Sequence, residues 1–319
     1  MGSNVTHRVG SESAVYPNAA PADAPAAQHS AINDRRFLYD TEIEVVNAAI
    51  ARGRFKSVLF DFDGTLSLIR EGWPDVMIPM MVRILKETGT SESEPELSQA
   101  VEDFVMRLNG RQTIYQMIQL ADEVRRRGGT PRDPLDYKNE YHDQLWRRIS
   151  GRVERLQSGA ASAADWIVPG SHELLGRLRD RGLRLYLASG TDLKYVRNEA
   201  AAIGVADYFE PHIYGALDDY QNFSKKMIID RILAENDLQG DELLAFGDGF
   251  VEIEEVKRVG GVAVGVASDE VRRAGVDHWK RNRLIEAGAD IIVPEYRQHG
   301  PLLDYLLNIG DHAIPRVRP

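Results

Sequence analysis

The chain contains no cysteine, which excludes a disulfide framework and any thiolate-held metal and fits a reducing compartment. No uninterrupted run of about 18 apolar residues occurs, so no segment reads as spanning a bilayer. Basic residues are in deficit: 39 Lys and Arg against 49 Asp and Glu leave a formal charge of -10. That balance argues against non-specific binding to nucleic acid or to an anionic membrane. The N-terminus also lacks the basic-then-apolar order of a secretory signal. Together these absences predict a soluble, cytoplasmic protein. What is present is an ordinary globular composition, 43% hydrophobic and 28% charged over 319 residues, enough for one large domain or two of usual size.

Large apolar side chains are also scarce from residue 1 to about 33, where Ala, Pro, Ser, Gly and Asn dominate. Such a segment cannot bury enough surface to offset its ordering entropy, and it is expected to be a disordered tail. Ile43, Val46 and Ile50 fall at spacings of three and four, which predicts a short amphipathic helix over 39–51. From 68 to 165 β-branched alternation is rare. Helices are expected there over 79–88, 94–108, 113–127 and 134–149, followed by a flexible link over 151–165. After Trp166, apolar runs of four to six residues alternate with helical patterns of about ten. That alternation predicts an α/β fold built on a doubly wound parallel sheet. The expected division is a tail (1–33), an α/β core (34–67 and 166–319) and a helical domain (68–165) inserted after the first core strand.

Three of the predicted strands end in polar residues of unusual kinds. Val58-Leu59-Phe60 stops at Asp61-Phe62-Asp63-Gly64-Thr65, two carboxylates followed by a glycine that lets the backbone turn sharply. Leu183 to Ala188 stops at Ser189-Gly190-Thr191, where a hydroxyl and the amides of a helix start suit either a phosphate oxygen or a helix cap. Leu243 to Phe246 stops at Gly247-Asp248-Gly249, with Glu252 one helical turn on. Clustered carboxylates at strand ends suit a hard cation such as Mg²⁺. Lys225 opens a helix, an unfavourable place for a cation unless an anion lies nearby; Lys226 competes for the same role.

The set Asp61-x-Asp63-Gly64-Thr65, then Ser189, then Lys225, then Gly247-Asp248-x-x-x-Glu252 resembles, in order, the four motifs of the haloacid dehalogenase superfamily. The resemblance is to its phosphatase branch with a C1-type helical cap, similar to phosphoglycolate phosphatases. Two positions depart from the commoner pattern: Glu252 stands for an Asp, and no Pro follows the lysine.

The resemblance implies a Rossmann-like core and the following roles. Asp61 is the nucleophile that forms an aspartyl-phosphate. Asp63 protonates the leaving alkoxide and then activates water. Mg²⁺ is held by Asp61, the carbonyl of Asp63, and Asp248, with Glu252 acting through water or behind the ligands. Ser189 and Lys225 stabilise the transferring phosphoryl oxygens. Gly64, Thr65, Gly190 and Thr191 contact the substrate, and Arg111, in the polar stretch Asn109 to Thr113 of the cap, reaches its non-phosphate part. A dehalogenase has no alkoxide to protonate, so Asp63 favours a phosphomonoesterase acting on a small phosphorylated metabolite. A phosphosugar mutase and a catalytically silent binding protein are the alternatives. Trp73 and the cluster Arg272, Arg273, Lys280, Arg281 and Arg283 read as packing and as a solvated helix face respectively, and His278 as a surface residue.

Overall fold

The computed structural model describes residues 36–38, 40–217 and 223–309. The expected tail therefore lies outside the described residues. Seven strands form one sheet among them: β1 (Glu44–Val45), β2 (Ser57–Phe60), β3 (Arg184–Asp192), β4 (Ile213–Ala216), β5 (Leu243–Gly247), β6 (Val262–Val266) and β7 (Ile291–Val293). Their order is β1-β7-β6-β5-β2-β3-β4, parallel except where β1 meets β7. Four helices follow β2: α1 (Pro74–Lys86), α2 (Glu94–Arg107), α3 (Thr113–Arg126) and α4 (Pro134–Gln157). The α/β part carries α5 (Ser171–Asp180), α6 (Leu193–Ala202), α7 (Ala206–Phe209), α8 (Lys225–Asn236), α9 (Phe250–Arg258), α10 (His278–Glu286) and α11 (His299–Leu307). No described helix is long and apolar enough to cross a membrane.

The sheet is covered on both faces, and the alternation of side chains along β2 shows why its sequence is apolar throughout. Val58 and Phe60 enter one core with Leu185, Leu187, Leu244 and Phe246, while Leu59 enters another with Tyr186, Ala245 and Ile229. Phe60 stacks on Phe246 with ring centroids 4.7 Å apart. Each such buried side chain contributes roughly 1.5–3 kcal/mol. The apolar stripes of α1 to α4, among them Met81, Val101, Met117 and Leu145, join the core that holds Val58 and Phe60.

Four local expectations are corrected. The stretch 39–51 contains β1, not a helix: Glu44 and Val45 pair with Ile292 and Ile291 at the open sheet edge, and Val46 is left exposed. The first inserted helix starts at Pro74 rather than Pro79; a start at Pro74 adds Met77 to the buried stripe, and Pro79 is carried inside the helix. The link expected over 151–165 is helical to Gln157, because Val153 and Leu156 continue the buried face of α4 past Gly151. Strand β3 runs to Asp192 through an irregularity in its pairing with β4. Ser189, Gly190 and Thr191 are thus strand residues, and the helix start lies beyond them at Leu193.

Candidate active site

Strands β2, β3 and β5 lie side by side with Phe60 level with Leu187 and Phe246. Polar groups follow, one residue further along β2 and two further along β3 and β5, so Asp61, Ser189 and Asp248 come together at one edge of the sheet where open α/β folds place ligands. The Asp61 amide donates to Phe246 O at 2.9 Å, which fixes the exit of β2 against β5. The cavity at this edge holds about 410 Å³ and is lined by core and inserted residues alike.

Its floor is ionic. Lys225 Nζ lies 2.9 Å from Asp61 Oδ1 and donates to Glu252 Oε2 at 2.6 Å. Lys280 Nζ donates to Asp248 Oδ2 at 2.9 Å and to Glu270 Oε1 at 2.7 Å. Burial raises the Asp61 carboxyl well above the usual carboxylate range, against Lys225 and with Glu252 and Asp248 adding to the rise. Burial opposes the charge on Lys225, yet Asp61 and Glu252 together hold its ammonium above the ordinary lysine value. Ligand atoms of Asp61, Asp248 and Glu252 lie within 4.8 Å of one another. Four carboxyl groups face two ammonium groups here, an excess of two acidic side chains. An all-oxygen donor set with that excess suits a hard divalent cation such as Mg²⁺.

Lys226, the competitor of Lys225, points away and pairs with Asp230 at the surface. Glu252 differs from a simple ligand: Oε1 accepts the Gly249 amide at 2.7 Å and Oε2 holds Lys225. It is 1% exposed and sits behind the lysine rather than along the cavity wall.

Asp63 is held by hydroxyls. Its Oδ2 accepts Thr191 Oγ1 at 2.9 Å and Ser189 Oγ at 3.3 Å, and Ser189 Oγ in turn accepts the Thr191 amide at 3.0 Å. Ser189 and Thr191 therefore orient Asp63, and both, with Gly190, line the cavity. Thr65 does not line it. Its hydroxyl accepts the Asp248 amide at 2.9 Å and its carbonyl accepts Tyr296 OH at 2.9 Å, so Thr65 ties the exits of β2 and β5 together.

The inserted loop reaches the same cavity. Asn109, Gly110, Arg111 and Thr113 are among its lining residues. Gly110 has φ +92°, and a β-carbon there would lie 3.2 Å from Gly249 Cα; one on Gly190 would lie 3.0 Å from Arg111 O. Gln112 Nε2 donates to Phe223 O at 2.7 Å. The loop is thus seated between the ends of β3 and β5, and the exposed Arg111 guanidinium lies over the Phe250 ring at 6.0 Å.

The basic cluster is divided: Arg272 is exposed, as expected of a solvated face, but Lys280, Arg281 and Arg283 on α10 are engaged with the rest of the chain. Lys280 is 8% exposed. Arg283 donates to the carbonyls of Met106 and Arg107 at the C-terminus of α2, where a cation complements the helix dipole. Arg281 pairs with Glu44. His278, exposed, opens α10. Trp73 and Trp279 both line the cavity. Nothing in the immediate sequence of Glu270 marks it, and nothing near Lys280 distinguishes it from its basic neighbours; only the fold brings α10 beneath Asp248.

A haloacid dehalogenase-like hydrolase family model matches residues 55–260, well over half of the chain. The fold is that of this class, and the chain belongs to the haloacid dehalogenase-like hydrolases. No curated protein matches the chain. Several solved structures share its fold at low identity. A haloacid dehalogenase hydrolase of family IA, variant 3, from Entamoeba histolytica is 18% identical, with a TM-score of 0.54, 80% of this chain and 100% of that one covered. A predicted phosphatase from Clostridium acetobutylicum is 17% identical, with a TM-score of 0.51 and coverage of 80% and 99%. A predicted phosphoglycolate phosphatase from Haemophilus somnus is 18% identical, with a TM-score of 0.50 and coverage of 79% and 97%.

Proposed function

We propose that the chain is a Mg²⁺-dependent phosphomonoesterase for a small, soluble phosphate ester. The observation that carries this reading is the pairing of a buried carboxylate on a lysine, Asp61 with Lys225, beside a second carboxylate held by hydroxyls, Asp63, at the mouth of one cavity. A nucleophile and an acid are both at hand, and Asp63 has no use in carbon–halogen cleavage, where no alkoxide leaves.

Asp61 supplies the oxygen that bonds to phosphorus as the bond to the ester oxygen breaks. Asp63 gives its proton to that departing oxygen, and the alcohol leaves. As a carboxylate, Asp63 then takes a proton from the water that attacks the aspartyl-phosphate, which frees inorganic phosphate and restores Asp61. Lys225 faces the nucleophile and offsets charge on the phosphoryl oxygens. Glu252 keeps Lys225 in place. Asp61, Asp248 and the carbonyl of Asp63 would hold Mg²⁺, with Glu252 behind them. The cation supplies positive charge that lets a carboxylate approach an anionic phosphate. Asn109, Arg111 and Thr113 close the cavity from above and suit a soluble metabolite better than a phosphoprotein.

A panel of sugar phosphates, phosphoglycolate, nucleotides and phospholipid head groups, assayed for phosphate release, tests the reading. Turnover of at least one ester, loss in chelator, recovery with Mg²⁺ and abolition by Asp61→Asn are expected. Isomerised ester without phosphate release would make the chain a mutase instead. Full activity in excess chelator, or in Asp61→Asn, would remove the mechanism.

A further inference from the structure

Between β2 and α1, Arg70 is 8% exposed and lines the cavity without belonging to any motif of the site. Its guanidinium grips Glu199 of α6 with two nitrogens, Nε at 3.0 Å from Oε2 and Nη2 at 2.7 Å from Oε1. Glu199 is fully buried. Burial raises the Glu199 carboxyl against the opposing pull of Arg70. Burial likewise opposes the charge on Arg70, but Glu199 and Asp63 hold the guanidinium above its ordinary value.

An ion pair this deep is costly to desolvate, and apolar side chains of similar volume would commonly stabilise the fold as well or better. Its placement gives it another use. Arg70 Nε lies 3.6 Å from Asp63 Oδ1. That oxygen is buried and has no hydrogen-bond partner among the described residues. The opposite oxygen, Oδ2, is held by Thr191 and Ser189. Asp63 therefore has two hydroxyls on one side and a cation on the other. The cation cannot move toward it, because Glu199 fixes the fork. Arg70 also lies over the Tyr195 ring at 5.5 Å, a further contact that holds the guanidinium where it is.

We infer that Arg70, anchored by Glu199, is a positioning residue for Asp63: it sets the orientation in which Asp63 passes its proton to the leaving oxygen. The inference rests on the phosphomonoesterase reading. It adds that the proton-transfer step depends on a residue outside the four strand-end motifs.

Leaving-group dependence separates this role from a structural one. Phenyl and p-nitrophenyl phosphate have nearly the same shape, but phenoxide needs protonation much more than p-nitrophenoxide does. Arg70→Met is measured on both, as kcat/KM, which covers the steps through cleavage of the ester bond. Because Arg70→Met leaves Glu199 buried without its partner, Arg70→Met/Glu199→Met is measured in parallel. The expected result, in whichever variant folds by thermal melt, is a loss on phenyl phosphate about 10- to 100-fold greater than on p-nitrophenyl phosphate, within the range of general acid catalysis. Equal losses on both esters, no loss on either, or failure of both variants to fold would overturn the inference. A wild-type chain that releases phosphate from neither ester, nor from any other ester tried, removes the phosphomonoesterase reading and the inference with it.

Discussion

Gly64 and Asp248 are in such close contact that a β-carbon on Gly64 would lie 2.7 Å from Asp248 Cγ and closer still to its Oδ2. Gly64 also has φ +74°, a conformation that side chains disfavour. The turn after β2 and the end of β5 are thus fitted to each other through the absence of a single carbon. Gly64→Ala is expected to push Asp248 out of place. Misplacement by about 1 Å costs on the order of 100-fold in rate, so kcat/KM for phosphate release should fall at least ~100-fold, while the chain still folds with its melting temperature lowered by only a few degrees. Retention of a tenth of the activity would mean that Asp248 is not needed where it stands.

Lys225 and Lys226 are adjacent in sequence and opposite in environment. Lys225 is buried on Asp61 and Glu252, and Lys226 is more than half exposed on Asp230. Lys225→Met should lower kcat by about 100- to 1000-fold, as loss of one stabilising donor does. Lys226→Met should change it by no more than about twofold, since exposed ion pairs contribute little. Rates measured side by side for the two variants check the assignment, and the reverse ranking would exchange their roles.

How much of this was legible in the sequence depends on distance along the chain. Asp61, Ser189 and Asp248 each follow a short apolar run, so a strand and its end are readable from neighbours alone. The parallel alternation then predicts that those ends meet. Lys225 is readable because Ser224 caps its helix, and the Ser224 hydroxyl does accept the Met227 amide. The roles of Thr191 and Thr65 were not readable, since their partners, Asp63 and the Asp248 amide, lie 128 and 183 residues away. Arg70 and Glu199 are separated by 129 residues. β1 escaped for a different reason: a two-residue edge strand is made by its partner β7, and its own spacing resembles a helix.

His142 gives α4 a pH-dependent hold on the α/β part. Its ring is 6% exposed, its Nδ1 lies 3.7 Å from Asp192 Oδ2, and Asp192 pairs with Lys138 at 2.6 Å. Burial, reinforced by Arg70, Lys138 and Lys194, pushes its pKa down from 6.5 to about 3. The folded form is therefore depressed relative to the unfolded one. Above about pH 6.5 both forms are neutral and the residue costs nothing; as pH falls, the unfolded chain takes up a proton that the folded chain refuses. From pH 7 to pH 5 this removes about 2 kcal/mol of stability. His142→Leu should flatten the fall over that window by about the same amount in urea titrations at the two pH values. An unchanged pH dependence would show that His142 takes up a proton in the folded state.

The seat of the inserted loop on Gly190 and Gly249 makes Arg111 the test of substrate recognition. Arg111 lines the cavity, is exposed, and carries five donors in a fixed fork that suits hydroxyls or a carboxylate. Asp61, Asp63 and Lys225, which belong to the proposed chemistry, do not contact it through any hydrogen bond or ion pair described above. Arg111→Ala should therefore lower kcat/KM for the best hydroxylated or carboxylated ester of the panel by ~10- to 100-fold, about 1.4 to 2.7 kcal/mol. The loss on p-nitrophenyl phosphate should be much smaller, because its leaving group offers the fork no matching acceptors. Because Arg111 O lies close to Gly190, the backbone of the loop should keep its seat when the side chain is truncated. Equal losses on both esters would assign Arg111 to the phosphate site or to support of the fold. No loss on either would place the guanidinium outside the recognition of substrate, and the loop would then act by closing the cavity alone.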